Sequence, residues 1–137
     1  MSKKITVLYV EDEPNIAKLL ASGLGLFGID VYPAMMSGED LIEKISDPEI
    51  AGADILIFDI RLPRMTGVEL ATKLREQGET RPIVLVSAWP APSRDQLQEI
   101  GAAFLPKPFD FPDVVQTIQN LAVDAEWLTL FAVNLLL

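Results

Sequence analysis

Short apolar runs alternate with amphipathic segments along most of the chain. The runs are typical of strands buried on both faces, and the segments between them repeat apolar residues at helical spacing. The predicted strands cover residues 5–10, 29–34, 54–59, 82–87 and 103–106. The predicted helices cover residues 14–28, 37–45, 67–78, 93–101 and 111–122. Five strand–helix units in this order predict an α/β fold, a doubly wound parallel sheet with helices on both of its faces.

Signals at the helix ends support these boundaries. Pro14 suits the first turn of a helix, Ser37 is a plausible N-cap, and the fourth helix would start at Ser93. Gly78 and Gly101 stand where the third and fourth helices would close.

Composition narrows the chemistry. The 137 residues suffice for one domain, and the net charge of −9 argues against direct binding to nucleic acid. The chain has no cysteine and no histidine, so any metal must be held by oxygen ligands, which favours magnesium, calcium or manganese. The N-terminus does not resemble a signal peptide, and no apolar run is long enough to span a bilayer. We therefore expect a cytoplasmic location with no membrane contact.

Polar residues stand at the carboxyl ends of four predicted strands. Glu11 and Asp12 follow the first strand, Asp59 ends the third, Ser87 ends the fourth and Lys107 follows the fifth. Ligands of parallel α/β sheets bind in the crevice outside these strand ends. The sequence therefore predicts one site that gathers acids, a hydroxyl and an ammonium group.

The same residues resemble the receiver domain of two-component response regulators, over residues 5 to about 122. The resemblance implies a flavodoxin-like five-stranded sheet of order 2-1-3-4-5. In that order we expect Asp12 and Asp59 to lie about 5 Å apart, because adjacent strands are about 4.8 Å apart. Two such carboxylates repel unless a cation joins them. The motifs that carry the resemblance are Glu11-Asp12, Asp59 with Pro63 and Gly67, Ser87-Ala88, and Phe104 with Lys107-Pro108-Phe109.

The resemblance implies a phosphorylation-dependent signalling switch. Asp59 would accept a phosphoryl group from a sensor histidine kinase, a phosphotransfer protein or a small acyl phosphate. The domain would not be an enzyme beyond catalysing its own phosphorylation and dephosphorylation, with Lys107 and Ser87 acting on the phosphoryl group. Mg²⁺, with Mn²⁺ as a substitute, would bind Glu11, Asp12, Asp59 and the backbone carbonyl of Arg61.

Further roles follow from the resemblance. Ser87 and Phe104 would form the switch, and the face made by the fourth helix, the fifth strand and the last helix would meet a downstream effector. The bond between Lys107 and Pro108 is expected to be cis. Arg61 and Trp89 occupy two positions that tune the chemistry in this family. Bulky Trp89 suggests the hypothesis that the phosphoryl group is shielded from water and long-lived.

Residues 123–137 exceed what a receiver domain needs. We divide the chain into a receiver domain, 1–122, and an apolar C-terminal extension of the last helix, 123–137. Apolar residues repeat there at 4-3 spacing, as in a coiled-coil seam. The extension could pack against the domain, link to an output domain, or form a homodimer or partner contact. The seam positions are Val114, Ile118, Leu121, Ala125, Leu128, Ala132 and Leu135.

Two other functions stay open at this stage. One is a pseudo-receiver that binds partners without phosphorylation, which the intact set of acids and lysine disfavours. The other is a Mg²⁺-dependent phosphohydrolase with an aspartyl nucleophile. That chemistry usually needs a second acid two residues after the nucleophile, where this chain has Arg61.

Overall fold

The computed structural model describes the backbone of residues 4–136 and the side chains of residues 4–125. Strands and helices alternate as predicted, with one short additional helix. The strands are β1 Thr6–Val10, β2 Asp30–Val31, β3 Ile55–Asp59, β4 Ile83–Ser87 and β5 Ala102–Pro106. The helices are α1 Pro14–Gly25, α2 Gly38–Lys44, α3 Pro48–Ala51, α4 Gly67–Glu76, α5 Arg94–Ile100 and α6 Phe111–Leu136.

The strands form one parallel sheet in the order β2-β1-β3-β4-β5. The predicted order 2-1-3-4-5 is thus confirmed. β3 lies at the centre, with Val10 of β1 opposite Phe58 and Val86 of β4 opposite Asp59. This register brings the carboxyl ends of β1, β3 and β4 to the same edge.

Each face of the sheet carries its own apolar core. Val7 and Tyr9 of β1 point to the face covered by α1 and α6. Leu8 and Val10 point to the opposite face, covered by α2, α3, α4 and α5. Burying one large aliphatic side chain stabilises a fold by about 1.5–3 kcal/mol, so two cores hold the central strands firmly. The strand ends are therefore a rigid support for a site.

The predicted cap at Ser37 is present in the structure, and Ser93 also caps its helix. Ser37 Oγ accepts a hydrogen bond of 3.2 Å from the Asp40 amide, and Ser93 Oγ accepts one of 3.1 Å from the Gln96 amide. Gly101 ends α5 in the left-handed conformation, at φ 68°. These contacts satisfy amide and carbonyl groups that a helix leaves unpaired at its ends.

Some boundaries differ from the predicted ones. β2 covers two residues instead of 29–34, because Pro33 has no amide hydrogen for pairing. Beyond β2, the Tyr32 amide donates to the Val7 carbonyl, and the chain pairs with β1 again at Met35. α1 ends at Gly25 rather than residue 28. α3 is a single turn that no periodicity predicted, with Pro48 at its start.

α6 runs as one helix from Phe111 to Leu136, across the proposed boundary at residue 122. Val114 and Ile118, the first positions of the expected seam, are buried in the chain's own core, and Leu121 packs against it. Leu128, Ala132 and Leu135 lie outside the residues whose side chains are described. Among the described residues, none of the helices combines the length and hydropathy needed to cross a bilayer.

Candidate functional site

Three carboxylates meet at the carboxyl end of the sheet. Glu11 and Asp12 directly follow β1, and Asp59 is the last residue of β3. Each offers an oxygen, and these oxygens lie within 4.8 Å of one another. Asp59 is buried and Asp12 is partly exposed, so solvent reaches only part of this group of carboxylates.

Lys107 reaches this group from the far side of β4. Its Nζ donates hydrogen bonds to Glu11 Oε1 at 2.7 Å and to Asp59 Oδ2 at 3.2 Å. The side chain is 13% exposed and follows β5, and its peptide bond to Pro108 is cis, as expected. Burial alone would lower the pKa of Lys107, but the bond to Glu11 and the charges of Asp59 and Glu11 raise it overall. Lys107 therefore stays protonated and carries a positive charge.

Glu11 is almost completely buried and is held from two further directions. The Tyr9 hydroxyl donates to Glu11 Oε1 at 3.0 Å, and the Glu13 amide donates to Oε2 at 3.3 Å. Burial first, and then the negative charge of Glu11, raise the pKa of Tyr9 far above its usual value, so the hydroxyl remains a donor. Sequence reasoning missed Tyr9. Its available signal was a spacing of two residues from Glu11, which places both on one face of β1.

Ser87 ends β4 beside Asp59. Its side chain is buried, and its Oγ accepts a hydrogen bond of 3.0 Å from the Trp89 amide. Ser87 lines an open pocket of about 400 Å³ together with eight other residues. The full lining is Asp12, Glu13, Ile16, Asp59, Arg61, Ser87, Ala88, Trp89 and Lys107.

Arg61 and Trp89 form the outer wall of this pocket. The Arg61 guanidinium carbon lies 4.8 Å from the centre of the Trp89 ring, a cation–π contact. The Arg61 amide donates to Asp59 Oδ1 at 3.3 Å. The Trp89 side chain is 58% exposed, so the stack stands at the pocket mouth and not in the core.

Gly67 allows the loop after β3 to fold back tightly. A Cβ atom at this position would lie 2.4 Å from the Asp59 carbonyl oxygen. The Gly67 amide also donates to the Ile60 carbonyl at 2.9 Å. The start of α4 is thus pressed against the backbone of Asp59, which fixes the carboxylate at the pocket floor.

Glu11 does not line the pocket but contacts Lys107, which does. Phe104 is the other predicted site residue that does not line the pocket. It lies opposite Leu85 in the sheet and is partly buried against the core beneath α2, α4 and α5. The structure therefore brings together Glu11, Asp12, Asp59, Ser87 and Lys107, with Arg61 and Trp89 at the rim. Phe104 is placed behind them on β5.

The donor set fits a hard divalent cation. Carboxylate oxygens are the ligands that Mg²⁺ and Mn²⁺ prefer, and Mg²⁺ tolerates water in its remaining positions. Glu11, Asp12 and Asp59 carry three negative charges against the single charge of Lys107. Glu11, Asp12 and Asp59 thus form a possible metal-binding group with an excess of negative charge that a cation would neutralise.

The sequence profile of the response regulator receiver domain matches residues 7–119. The chain therefore belongs to the family of receiver domains of two-component response regulators. Receiver domains are regulatory phosphoacceptor domains, with a flavodoxin-like sheet of the order found here.

Individual relatives agree with this assignment. A protein of Picosynechococcus sp., named as a probable transcriptional regulatory protein, is 35% identical over 128 residues, covering 88% of this chain and 50% of its own length. The transcriptional regulatory protein CpxR of Escherichia coli is 28% identical, with coverage of 88% and 50%. The chain thus spans about half the length of these curated relatives.

Solved structures are similar over nearly all of their length. The chemotaxis protein CheY4 of Vibrio cholerae is 26% identical with a TM-score of 0.73, covering 87% of this chain and 99% of its own. A CheY-like receiver domain of Methylobacillus flagellatus is 26% identical with a TM-score of 0.75 and the same coverage.

Proposed function

We propose that this chain is a phosphorylation-controlled switch that accepts a phosphoryl group on Asp59. The observation that carries the proposal is the position of Lys107, whose ammonium group bridges Glu11 and Asp59 at the floor of the pocket. A buried lysine shared between two acids is costly for a merely structural role, because a hydrophobic set of the same volume often stabilises a fold equally well. The donor would be a sensor histidine kinase, a phosphotransfer protein or a small acyl phosphate.

The chemistry needs few groups. An oxygen of the Asp59 carboxylate attacks the phosphorus, and the bond from phosphorus to the donor breaks. The leaving group takes that bond's electron pair, and Asp59 becomes an acyl phosphate. Phosphoryl transfer depends mainly on alignment and on neutralising charge. Lys107 lies within reach of the incoming phosphoryl oxygens, and the Ser87 hydroxyl would donate a hydrogen bond to one of them.

Mg²⁺, or Mn²⁺ in its place, would be held by Glu11, Asp12, Asp59 and the carbonyl of Arg61. When bound, the cation would neutralise charge on the phosphoryl oxygens and on the acids. The 4.8 Å grouping of the three carboxylates and the lack of histidine and cysteine in the sequence support an oxygen-ligated hard ion.

We also propose the route from site to partner. Ser87 and Phe104 lie on adjacent strands and would change position together once the phosphoryl group is present. The face built by α5, β5 and α6 would then bind a downstream effector. The net charge of −9 disfavours direct contact between this chain and nucleic acid. Residues 1–122 would form the receiver unit, and residues 123–137 would extend α6 as a linker, a packing segment or a homodimer contact.

Two features favour a switch over the other candidate functions. The complete set of Glu11, Asp12, Asp59 and Lys107 would be unnecessary in a pseudo-receiver that binds partners without phosphorylation. Arg61 stands where a phosphohydrolase would need a second acid, and its guanidinium is engaged with Trp89. The same stack would shield the phosphoryl group from water and prolong its lifetime.

Intact-mass spectrometry after incubation with Mg²⁺ and acetyl phosphate tests the proposal. The wild type should gain the mass of one phosphoryl group, and Asp59→Asn should gain none. Asp124→Asn is a matched control, because Asp124 is exposed on α6 and should leave the gain intact. A gain that persists in Asp59→Asn, or its absence from the wild type, would contradict the proposal.

A further inference from the structure

A hydrogen-bonded chain of three side chains leads from the apolar core to the phosphoacceptor. Tyr9 donates to Glu11 Oε1 at 3.0 Å, and Lys107 donates to the same oxygen at 2.7 Å. Lys107 also donates to Asp59 Oδ2 at 3.2 Å. One oxygen of Glu11 thus receives two donors, one from the core and one from the site.

The two donors differ in rigidity. The Tyr9 ring is fully buried among residues of α1 and α6, so its hydroxyl is fixed in place by packing on the ring. The Lys107 ammonium group lies at the end of a long flexible side chain and has two acceptors, Glu11 and Asp59. A rigid donor on Oε1 fixes the position of the Glu11 carboxylate, so that Lys107 contacts it at 2.7 Å and still reaches Asp59 at 3.2 Å.

We infer that Tyr9 is a positioning residue of the phosphoacceptor site, acting through Glu11 to set the cation affinity of the acids and the sharing of Lys107 with Asp59. The inference rests on the proposed function. Without the hydroxyl, Glu11 would keep its 2.7 Å contact with Lys107 but lose the donor that fixes the position of its carboxylate. The carboxylate would then be less well oriented toward a divalent cation, and Lys107 would be less firmly shared with Asp59. Partners that orient a metal ligand from behind typically change metal affinity by 10- to 100-fold.

Tyr9→Phe removes the hydroxyl and keeps the ring that fills the core. Tyr32→Phe is the matched control, because it makes the same chemical change on a partly buried tyrosine that packs on the opposite face of the sheet. We would measure the Mg²⁺ dissociation constant of the full chain by calorimetry, and the rate of acetyl-phosphate labelling at saturating Mg²⁺. Tyr9→Phe should weaken Mg²⁺ binding about tenfold, while Tyr32→Phe should stay within about twofold of wild type.

A double-mutant cycle with Glu11→Gln separates positioning from general damage to the core. If Tyr9 acts through the Glu11 carboxylate, adding Tyr9→Phe to Glu11→Gln should leave the Mg²⁺ affinity unchanged within about twofold. Glu11→Gln alone leaves the Tyr9 ring untouched and should weaken binding at least as much as Tyr9→Phe. This second variant keeps the test decisive if Tyr9→Phe does not fold.

Three results would overturn the inference. They are wild-type Mg²⁺ affinity in Tyr9→Phe, wild-type affinity in Glu11→Gln, and an equal weakening by Tyr9→Phe in both backgrounds. A wild-type chain that neither binds Mg²⁺ nor gains a phosphoryl group would instead contradict the proposed function itself. The wild-type measurement therefore distinguishes the two failures.

Discussion

The two ends of the sheet treat charge in opposite ways. At the amino end, Arg81 donates to both oxygens of Glu79 and to the carbonyls of Ile50 and Ala53. Arg75 uses all three of its side-chain nitrogens on backbone carbonyls between α4 and β5. Each side-chain nitrogen of Arg75 and Arg81 therefore has a hydrogen-bond acceptor.

The carboxyl end has a surplus of negative charge. Glu11, Asp12 and Asp59 share the single ammonium group of Lys107, although two of these acids are buried. Arg61 is close by, but its guanidinium stacks on Trp89. The contrast teaches that the fold can neutralise buried charge where stability alone matters. It leaves an excess of negative charge where a cation and a phosphoryl group are expected to bind.

The largest effect should come from removing the positive charge that contacts the acids, the ammonium group of Lys107. Lys107→Met keeps the length of the side chain and removes its charge, so the phosphoryl oxygens lose a fixed partner. We expect labelling of Asp59 by acetyl phosphate to slow by about 100-fold, the typical cost of losing one preorganised donor. Quench-flow or timed intact-mass measurements would give the rate.

Lys73→Met is the control for this change, because Lys73 is exposed on α4 and remote from the strand ends. Its labelling rate should equal that of wild type. Equal rates for Lys107→Met and Lys73→Met would show that the charge at residue 107 does not assist the transfer.

A smaller effect is expected at the pocket mouth. Trp89→Ala removes the ring on which Arg61 stacks and opens the pocket to water, so the phosphorylated state should hydrolyse several-fold faster. An exposed cation–π contact is worth about 0.5–1 kcal/mol, so the hydrolysis rate should rise by no more than several-fold. Loss of label from purified phosphorylated protein measures it.

Phe27→Ala truncates another exposed aromatic residue, one that follows α1. It should leave the hydrolysis rate unaltered. Shielding is wrong if Trp89→Ala hydrolyses no faster than Phe27→Ala.

A substitution at the amino end of the sheet should change the free energy of unfolding and leave the phosphorylation rate unchanged. Arg81 holds the pKa of Glu79 below its ordinary value of 4.5, chiefly through their side-chain hydrogen bonds. The ionised carboxylate therefore stabilises the fold above that pH, and the contribution is lost as pH falls through the lowered pKa. Glu79→Gln should lower the free energy of unfolding by about 1 kcal/mol near pH 7.

Urea unfolding of wild type and Glu79→Gln between pH 7 and pH 3 checks the sign, with exposed Glu76→Gln as control. The gap between wild type and Glu79→Gln should narrow on acidification, while the labelling rate stays unchanged. A gap that widens toward pH 3 would refute the assignment.

Much of the fold follows from the pattern, because five apolar runs separated by helical periods leave few ways to pair. Site residues such as Asp59 and Lys107 could be predicted because parallel strands place their carboxyl ends at one edge. Tyr9 was not predicted, because in an apolar strand its ring indicates core packing and its spacing of two residues from Glu11 is a weak signal. The Arg61–Trp89 stack and the turn at α3 depend on loop geometry, which no periodicity encodes.

We expect the grouping of acids at the carboxyl end to favour cation binding and to cost stability when no cation is bound. Two unit charges about 5 Å apart repel by roughly 3 kcal/mol at an effective dielectric constant near 20. The oxygens of these acids lie within 4.8 Å of one another, and solvent around partly exposed Asp12 reduces the repulsion. Asp12→Asn should relieve some of this repulsion.

Thermal unfolding of wild type and Asp12→Asn, with and without Mg²⁺, tests the claim most directly. Without Mg²⁺, Asp12→Asn should unfold at a higher temperature than wild type, by about 1 kcal/mol in stability. Saturating Mg²⁺ should stabilise the wild type and leave Asp12→Asn nearly unchanged. An Asp12→Asn chain that is less stable without Mg²⁺ and keeps the full Mg²⁺ response would contradict the account.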